Sequence, residues 1–486
     1  MKFKTFFLIF LSMVGVLLIA AVGGYIFLQQ KTPSEIFQSP IIQNAIKNQV
    51  GVQRKDIIDL VPVFLGFSEP KTYLILFLNN TEMRPGGGFI GSYATVRVSQ
   101  GKMEVLKVEG TEILDKQTPD TWRPTPPPMI QQQLGLDRWY FRDSNWSPDY
   151  VVGAQKALEF YKAEGGIASN EVDAVIGITP AVLESLLILT GPLTIQGINF
   201  TAENVVETLE HEVEYGFEDK GIAFENRKQI LQPFFHEILY RLGPDAILHT
   251  GKYFDLFEKL AQEKHVLVYF LDEKVQQFMN EKKWTGQVPS VSGDFVLWVD
   301  ANLAALKTDA KIQRTLQYTI APVSESTSST YVATARMKYN HFGVFDKFTS
   351  RYRTYARVYV PQGSVLKEVN SVQKNGRKTK ITQVDQGIEL EKQWFGVFFV
   401  IEPQEARELE FIYELPSHIK QQVQGQSYNL LVQKQAGLEN IGLTLDLNFG
   451  TNIQSAVPPE DQKFWGNSTY TYSTDFRTDK SFKVTF

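Results

Sequence analysis

Cysteine is absent from the 486 residues, which removes disulfide frameworks, thiolate zinc sites, iron–sulfur clusters and cysteine nucleophiles together. Histidine is scarce, and none of the six forms the HExxH pair of a zinc hydrolase helix. GGGFIGS at 86–92 lacks the lysine of a phosphate-binding P-loop, and no GxSxG elbow occurs. Positive charge is not in excess either. With a net charge of −5 and a pI near 5.8, the chain has no electrostatic footprint for nucleic acid. There is no internal repeat, and SESTSST at 324–330 is the only low-complexity stretch.

What is present describes a filled globular protein. The chain is 43% hydrophobic and 13% aromatic, and its length exceeds one ordinary core. One long run lacks charge altogether, between Lys4 and Lys31. Residues 5–28 are long enough to cross a hydrocarbon core of about 30 Å as a helix. Lys2 and Lys4 favour a cytoplasmic N-terminus. A cleaved signal peptide has a shorter apolar region ending in a small-x-small site, and this run has no A-x-A. The expectation is a retained single-pass anchor over 1–30 in the cell membrane, a juxtamembrane stalk over 31–70, and an extracytoplasmic body.

From Lys71 the pattern is strand TYLILFL, a polar loop, strand FIGSYATVRV, turn SQGK and strand MEVLKVEG. A proline-rich segment follows and ends at RWYFRDSNWSPDY. Ser147 then serves as a helix N-cap with Pro148 in the first turn, and Gly165 and Gly166 close that helix. VDAVIGI reads as a strand covered on both faces, and AVLESLLIL as a helix for which core burial is the default. Helical patterns recur at 202–215, 225–242, 245–262 and 272–283, with strand HVLVYFL among them. The alternation predicts an α/β or α+β body with a mixed sheet over 71–310. Short alternating runs from 311 to 486, without a helical pattern, predict a β-sandwich.

The loop NNTEMRPGGG at 79–88 concentrates charge and backbone freedom at a strand end. Its glycines allow backbone N–H groups to converge on an anion, and Arg84 offers a planar fork for phosphate or carboxylate. The competing reading pairs Arg84 with a nearby carboxylate and makes the glycines a tight turn. A second cluster, RDSNWSPD at 142–149, crowds Arg142, Asp143, Asn145 and Asp149 at a helix start, where anions are favoured. Ser147 and Asp149 also suit a plain helix cap. Two arginines with several carboxylates would suit a pyrophosphate held by guanidinium groups and by a divalent cation.

NNTEMRPGGGFIGSY, RDSNWSPDY, VDAVIGITPAVLESLLILTGPL, VDANLAALK and YNLLVQKQAGL resemble successive blocks of domain-of-unknown-function family 4012, bacterial envelope proteins with one N-terminal anchor. The resemblance runs from about residue 71 to 450. More distantly, the order of elements is similar to the LytR-CpsA-Psr family, which transfers glycopolymers from polyprenyl-pyrophosphate carriers to the cell wall. Arg84 corresponds to that family's loop arginine, and Arg142 with Asp143 to its Arg-Asp pair. The chain departs where Asn79 and Asn80 replace an acidic residue, where no aspartate follows Arg84, and in an insertion of roughly thirty residues before Arg142.

That resemblance implies a glycopolymer phosphotransferase-like activity carried by Arg84, Arg142 and Asp143. Asn79, Asn80, Glu82, Gly86, Gly87, Gly88 and Asn145 would contact the ligand, and Glu82, Asp143 and Asp149 would hold Mg²⁺. The implied partners are the membrane and a polyprenyl-pyrophosphate glycan or peptidoglycan. The alternative is a non-catalytic envelope scaffold or glycan- or protein-binding module. The two readings differ over Arg84: a ligand arginine is lost without cost to stability, a structural one is not.

Overall fold

A computed structural model describes residues 39, 49, 54–223, 227–234, 237–238, 250–323, 331–439 and 441–486. The uncharged run at 5–28 and most of the expected stalk lie outside the described residues, as do parts of the helical patterns at 225–242 and 245–262. Among the described residues, no helix is long and apolar enough to cross a membrane.

The N-terminal region is mixed α/β. Helix α1 (Lys55–Phe64) precedes β1 (Lys71–Asn79), β2 (Phe89–Ser99) and β3 (Lys102–Gly110). With β4 (Val172–Ile178) and a later strand Val266–Phe270 they form a five-stranded sheet. Its order is β3-β2-β1-β4 and then that later strand, with β1 and β4 parallel and the other pairings antiparallel. TYLILFL has no polar face because both faces are covered. Tyr73 and Ile75 enter one core, while Leu74, Leu76 and Leu78 enter another on the opposite side.

Helix Tyr150–Ala163 packs on the second face. Its N-cap is Asp149 rather than the expected Ser147: Asp149 accepts from the Val152 amide at 3.2 Å. Helix Ala181–Thr190 follows β4 but is only half sunk. Val182, Leu186 and Leu187 are buried, whereas Ile188 stands 72% exposed, so the expectation of core burial holds for one side alone.

The C-terminal region is strand-rich, with two seven-stranded sheets that share one apolar core. Strand Asp294–Asn302, which the sequence reading places in the body, belongs to this region. It lies between Tyr352–Pro361 and Ser427–Gln433 and is buried along its whole length. A short helix, Ser417–Gln424, interrupts the strands where none was expected.

The two regions are cross-linked. Lys264 donates to the carbonyl of Lys434, and Lys434 donates to the carbonyl of Glu263, at 2.9 Å each. Because β1 and β4 run parallel, their C-terminal ends open at the same edge of the first sheet, facing this junction. The site lies there.

Candidate functional site

The loop after β1 is built into the junction. Arg84 is 2% exposed. Its Nε donates to Asp143 Oδ1 at 3.0 Å, Nη1 to the Asn302 carbonyl at 2.7 Å, and Nη2 to Glu82 Oε1 at 3.1 Å. Every arm of the guanidinium is therefore engaged by protein. The Met83 amide donates to Asp309 Oδ2 at 3.0 Å, which docks the same loop on the two-sheet region.

The glycines serve this docking. The amides of Gly86 and Gly87 donate to the carbonyls of Asn145 and Arg84, at 3.0 Å each. Asn145 Nδ2 donates to the Gly88 carbonyl at 2.6 Å. Gly88 has φ +139°, and a Cβ there would lie 2.6 Å from the Asn79 backbone. Two of the amides expected to converge on an anion are thus turned to carbonyls, and the tight-turn reading of these glycines accounts for them. Asn79 and Asn80 are also occupied: the first donates to Glu210 at 3.1 Å, the second to the Gly437 carbonyl at 2.9 Å.

The two arginines do converge, through Asp143. Arg142 lies 3.7 Å from Asp143 Oδ2 and donates to Asp115 Oδ2 at 3.0 Å. Asp115 in turn faces Glu164, whose Oε1 accepts from the Phe141 amide at 3.0 Å. Among the described residues, Asp115 Oδ1 and Glu164 Oε2 are buried with no hydrogen-bond partner beyond one another. Burial, and for Glu164 the neighbouring carboxylate, push Asp115 up to about 6 and Glu164 up to about 8. One proton shared between the two carboxyls would satisfy both oxygens. The result is a line of groups, Glu164–Asp115–Arg142–Asp143–Arg84–Glu82, of which Arg142 and Glu82 are partly exposed and the other four are buried.

The expected metal ligands do not fit Mg²⁺. Asp143 faces an arginine with each oxygen, and Asp149 accepts from the amides of Val152 and Val288. Among the described residues, no group of three or more acidic or histidine side chains is placed to hold a metal ion. Glu82 is already paired with Arg84 Nη2 at 3.1 Å, and burial raises its pKa against the pull of Arg84.

Glu82 and Arg142 open into a cleft of about 430 Å³ at the ends of β1 and β4. Phe77 and Phe89 come from the sheet side, Leu183 from the helix after β4, and Leu209 and Val213 from the segment beyond it. Arg142, Arg227, Lys228 and Lys307 stand among these apolar walls. Each has an acidic counterpart. Lys228 and Arg227 meet the two oxygens of Glu112 at 2.8 and 3.0 Å, and Lys307 lies 3.3 Å from Glu210. Burial lowers the pKa of Lys228. For Glu112, burial is outweighed by Lys228 and Arg227, and its pKa falls.

The sequence reading missed Arg227, Lys228, Lys307 and Glu112. No local motif marks them, since the Lys228–Glu112 contact spans 116 positions.

Residues 68–214 match the family described as protein of unknown function (DUF4012). That segment runs from just before β1 to Glu214, and so contains the loop glycines, Arg84, Arg142 and most of the cleft. No curated protein matches the chain. Among solved structures, a putative nutrient binding protein from Legionella pneumophila aligns at 6% identity, covering 40% of this chain and 71% of that one, with a TM-score of 0.26. Yeast leukotriene A4 hydrolase with bestatin aligns at 8% identity over 36% of this chain and 29% of its own, with a TM-score of 0.21. Likenesses this slight carry no argument about fold or activity.

Proposed function

We propose that this is a membrane-anchored, extracytoplasmic protein that binds a phosphorylated, lipid-linked envelope glycan precursor. The observation that supports the reading is the cleft: apolar walls large enough for part of a lipid chain, with Arg142, Arg227, Lys228 and Lys307 among them. Its volume falls within the range of small-ligand sites, which are mostly apolar with a few placed polar groups. A pyrophosphate would displace carboxylates from these cations, and charge-assisted bonds to phosphate oxygens would replace the ion pairs. Arg142 is the natural first contact, since its side chain keeps 28% exposure while Arg84 is sealed. Transfer of the glycan, which the likeness to LytR-CpsA-Psr proteins implies, would fall to Arg142, with Asp143 and Arg84 positioning it from behind. The anchor would be residues 5–28.

Thermal melts with polyprenyl pyrophosphates test this. A ligand at 100 times its dissociation constant adds about 2.7 kcal/mol to native stability. No shift with any polyprenyl pyrophosphate overturns the reading. The non-catalytic scaffold is the second reading, and the full engagement of Arg84 by protein groups favours it over a catalytic role for that residue.

A further inference from the structure

Phe342, Val344 and Phe345 are 63%, 57% and 62% exposed at the tip of the connection between strands Tyr331–His341 and Tyr352–Pro361. Single exposed apolar residues are ordinary. Three within four positions, two of them aromatic, mark an interaction surface.

The tip is braced. The Phe342 amide donates to the Lys311 carbonyl at 2.9 Å, and the Gly343 amide to His341 Nδ1 at 3.1 Å. Gln404 Nε2 donates to the carbonyls of Phe342 and Gly343, both at 2.9 Å. Beyond the tip, Asp346 Oδ1 accepts from the amides of Phe348 and Thr349 at 2.8 and 2.6 Å. With the backbone fixed on both sides, the apolar side chains are held outward.

The same loop borders the cleft. The Lys307 amide donates to the Phe348 carbonyl at 2.8 Å, and the Lys307 side chain stands in the cleft wall. Tyr215 donates to the Lys347 carbonyl at 3.0 Å and meets the Phe348 ring edge-on at 5.1 Å. Val213 and Glu214, just before Tyr215, line the cleft. Along the chain between positions 338 and 353 the only acid is Asp346, against Lys338, Lys347, Arg351 and Arg353. Arg351 is paired with Glu402 at 3.1 Å and Glu405 with Arg407, so Lys338 and Lys347 carry the positive charge beside the tip.

We infer that the Phe342–Phe345 tip docks on an anionic lipid surface and seats the mouth of the cleft against it, an inference that rests on the anchored, lipid-binding reading above. Aromatic side chains favour the headgroup depth of a bilayer, and flanking basic residues are attracted to anionic lipids. In that reading residues 5–28 hold the chain at the membrane. Residues 29–53 can reach at most about 80–90 Å, so the tether alone does not select a face. The tip selects it. A lipid chain then passes between bilayer and cleft without exposing its hydrocarbon to water.

Because the chain has no cysteine, single-site labelling is direct. Phe345→Cys and Ile388→Cys, each in the full chain, would carry an environment-sensitive nitrobenzoxadiazole dye in vesicles of phosphatidylcholine and phosphatidylglycerol. Ile388 is 62% exposed but pairs with Gln393, which pairs with Val360 at the far end of the strand that begins beside the tip. The expected result is blue-shifted emission at 345, quenched at least twofold by doxyl-labelled lipid, and water-like emission at 388. Water-like emission at both positions in chains that float with vesicles overturns the docking tip and leaves the anchor standing. Chains that fail to float overturn both. A blue shift at 345 without lipid that grows with protein concentration identifies self-association and also overturns the proposal. Thermal melts of the same chains with soluble farnesyl pyrophosphate read the cleft separately, so failure of the tip and failure of the ligand give different results.

Discussion

Arg84 and Asp143, 59 positions apart in sequence, meet at 3.0 Å with side chains only 3% and 2% exposed. The pair joins the loop after β1 to the segment before helix Tyr150–Ala163, and Arg84 continues to the Asn302 carbonyl in the two-sheet region. Three separate parts of the chain thus depend on one guanidinium. A surface ion pair contributes little, but one partner removed from a buried pair leaves an unsatisfied charge.

Arg84→Ala should therefore cost about 3–5 kcal/mol, the range for breaking a buried ion pair. Arg84→Lys should recover little, because one ammonium cannot reach Asp143, Glu82 and the Asn302 carbonyl in the fork geometry. Urea denaturation of the three proteins at pH 7 measures both. A loss under about 1 kcal/mol would show that Arg84 is not a strut.

Residue types were more legible in the sequence than their directions. TYLILFL announced a strand covered on both faces, and RDSNWSPD announced a helix start. Nothing local showed that Arg84 turns inward, because its direction is set by Asn302, 218 positions away. Strand Asp294–Asn302 shows the same limit. Its neighbours in the sheet, Tyr352–Pro361 and Ser427–Gln433, lie far downstream, and no local spacing announces them. The cleft cations were invisible because ion pairing across folded segments leaves no spacing to read.

Glu164 and Asp115 predict a pH dependence. A carboxyl with a higher pKa folded than unfolded holds its proton more tightly in the native state. Its contribution is present at low pH and lost as pH rises through the folded values, about 6 for Asp115 and about 8 for Glu164. Native stability should fall by roughly 4–5 kcal/mol between pH 5 and 9 from this pair. Glu164→Gln, whose amide can donate to Asp115 without titrating, should flatten that fall. Denaturation curves at several pH values, compared between the two proteins, give the difference. Equal slopes would rule out the shared proton.

Gly88 and Gly135 differ in both crowding and backbone strain. Both have positive φ, +139° and +66°, but among the described residues a Cβ at Gly135 meets nothing within 4 Å, whereas at Gly88 it meets the Asn79 backbone at 2.6 Å. Gly135→Ala should cost about 1–2 kcal/mol, the penalty of left-handed backbone for an L residue. Gly88→Ala should cost clearly more and loosen the junction, seen as faster cleavage in limited proteolysis between the two regions. Equal costs would mean that the loop yields without strain.

Leu183 and Lys228 should separate the two halves of ligand recognition. Lys228 stands among the cleft walls beside Glu112 and contributes charge, whereas Leu183 contributes only apolar surface. Lys228→Met should weaken every pyrophosphate ligand about 10- to 100-fold, the worth of one charge-assisted hydrogen bond. Leu183→Gln should leave inorganic pyrophosphate unaffected and weaken long polyprenyl pyrophosphates more than short ones, since each buried methylene contributes about 0.8 kcal/mol. Calorimetric titration with inorganic, geranyl and farnesyl pyrophosphate measures the series. Affinity that is independent of chain length in the wild type would remove the lipid from the cleft. Affinity that survives Lys228→Met unchanged would remove the phosphate.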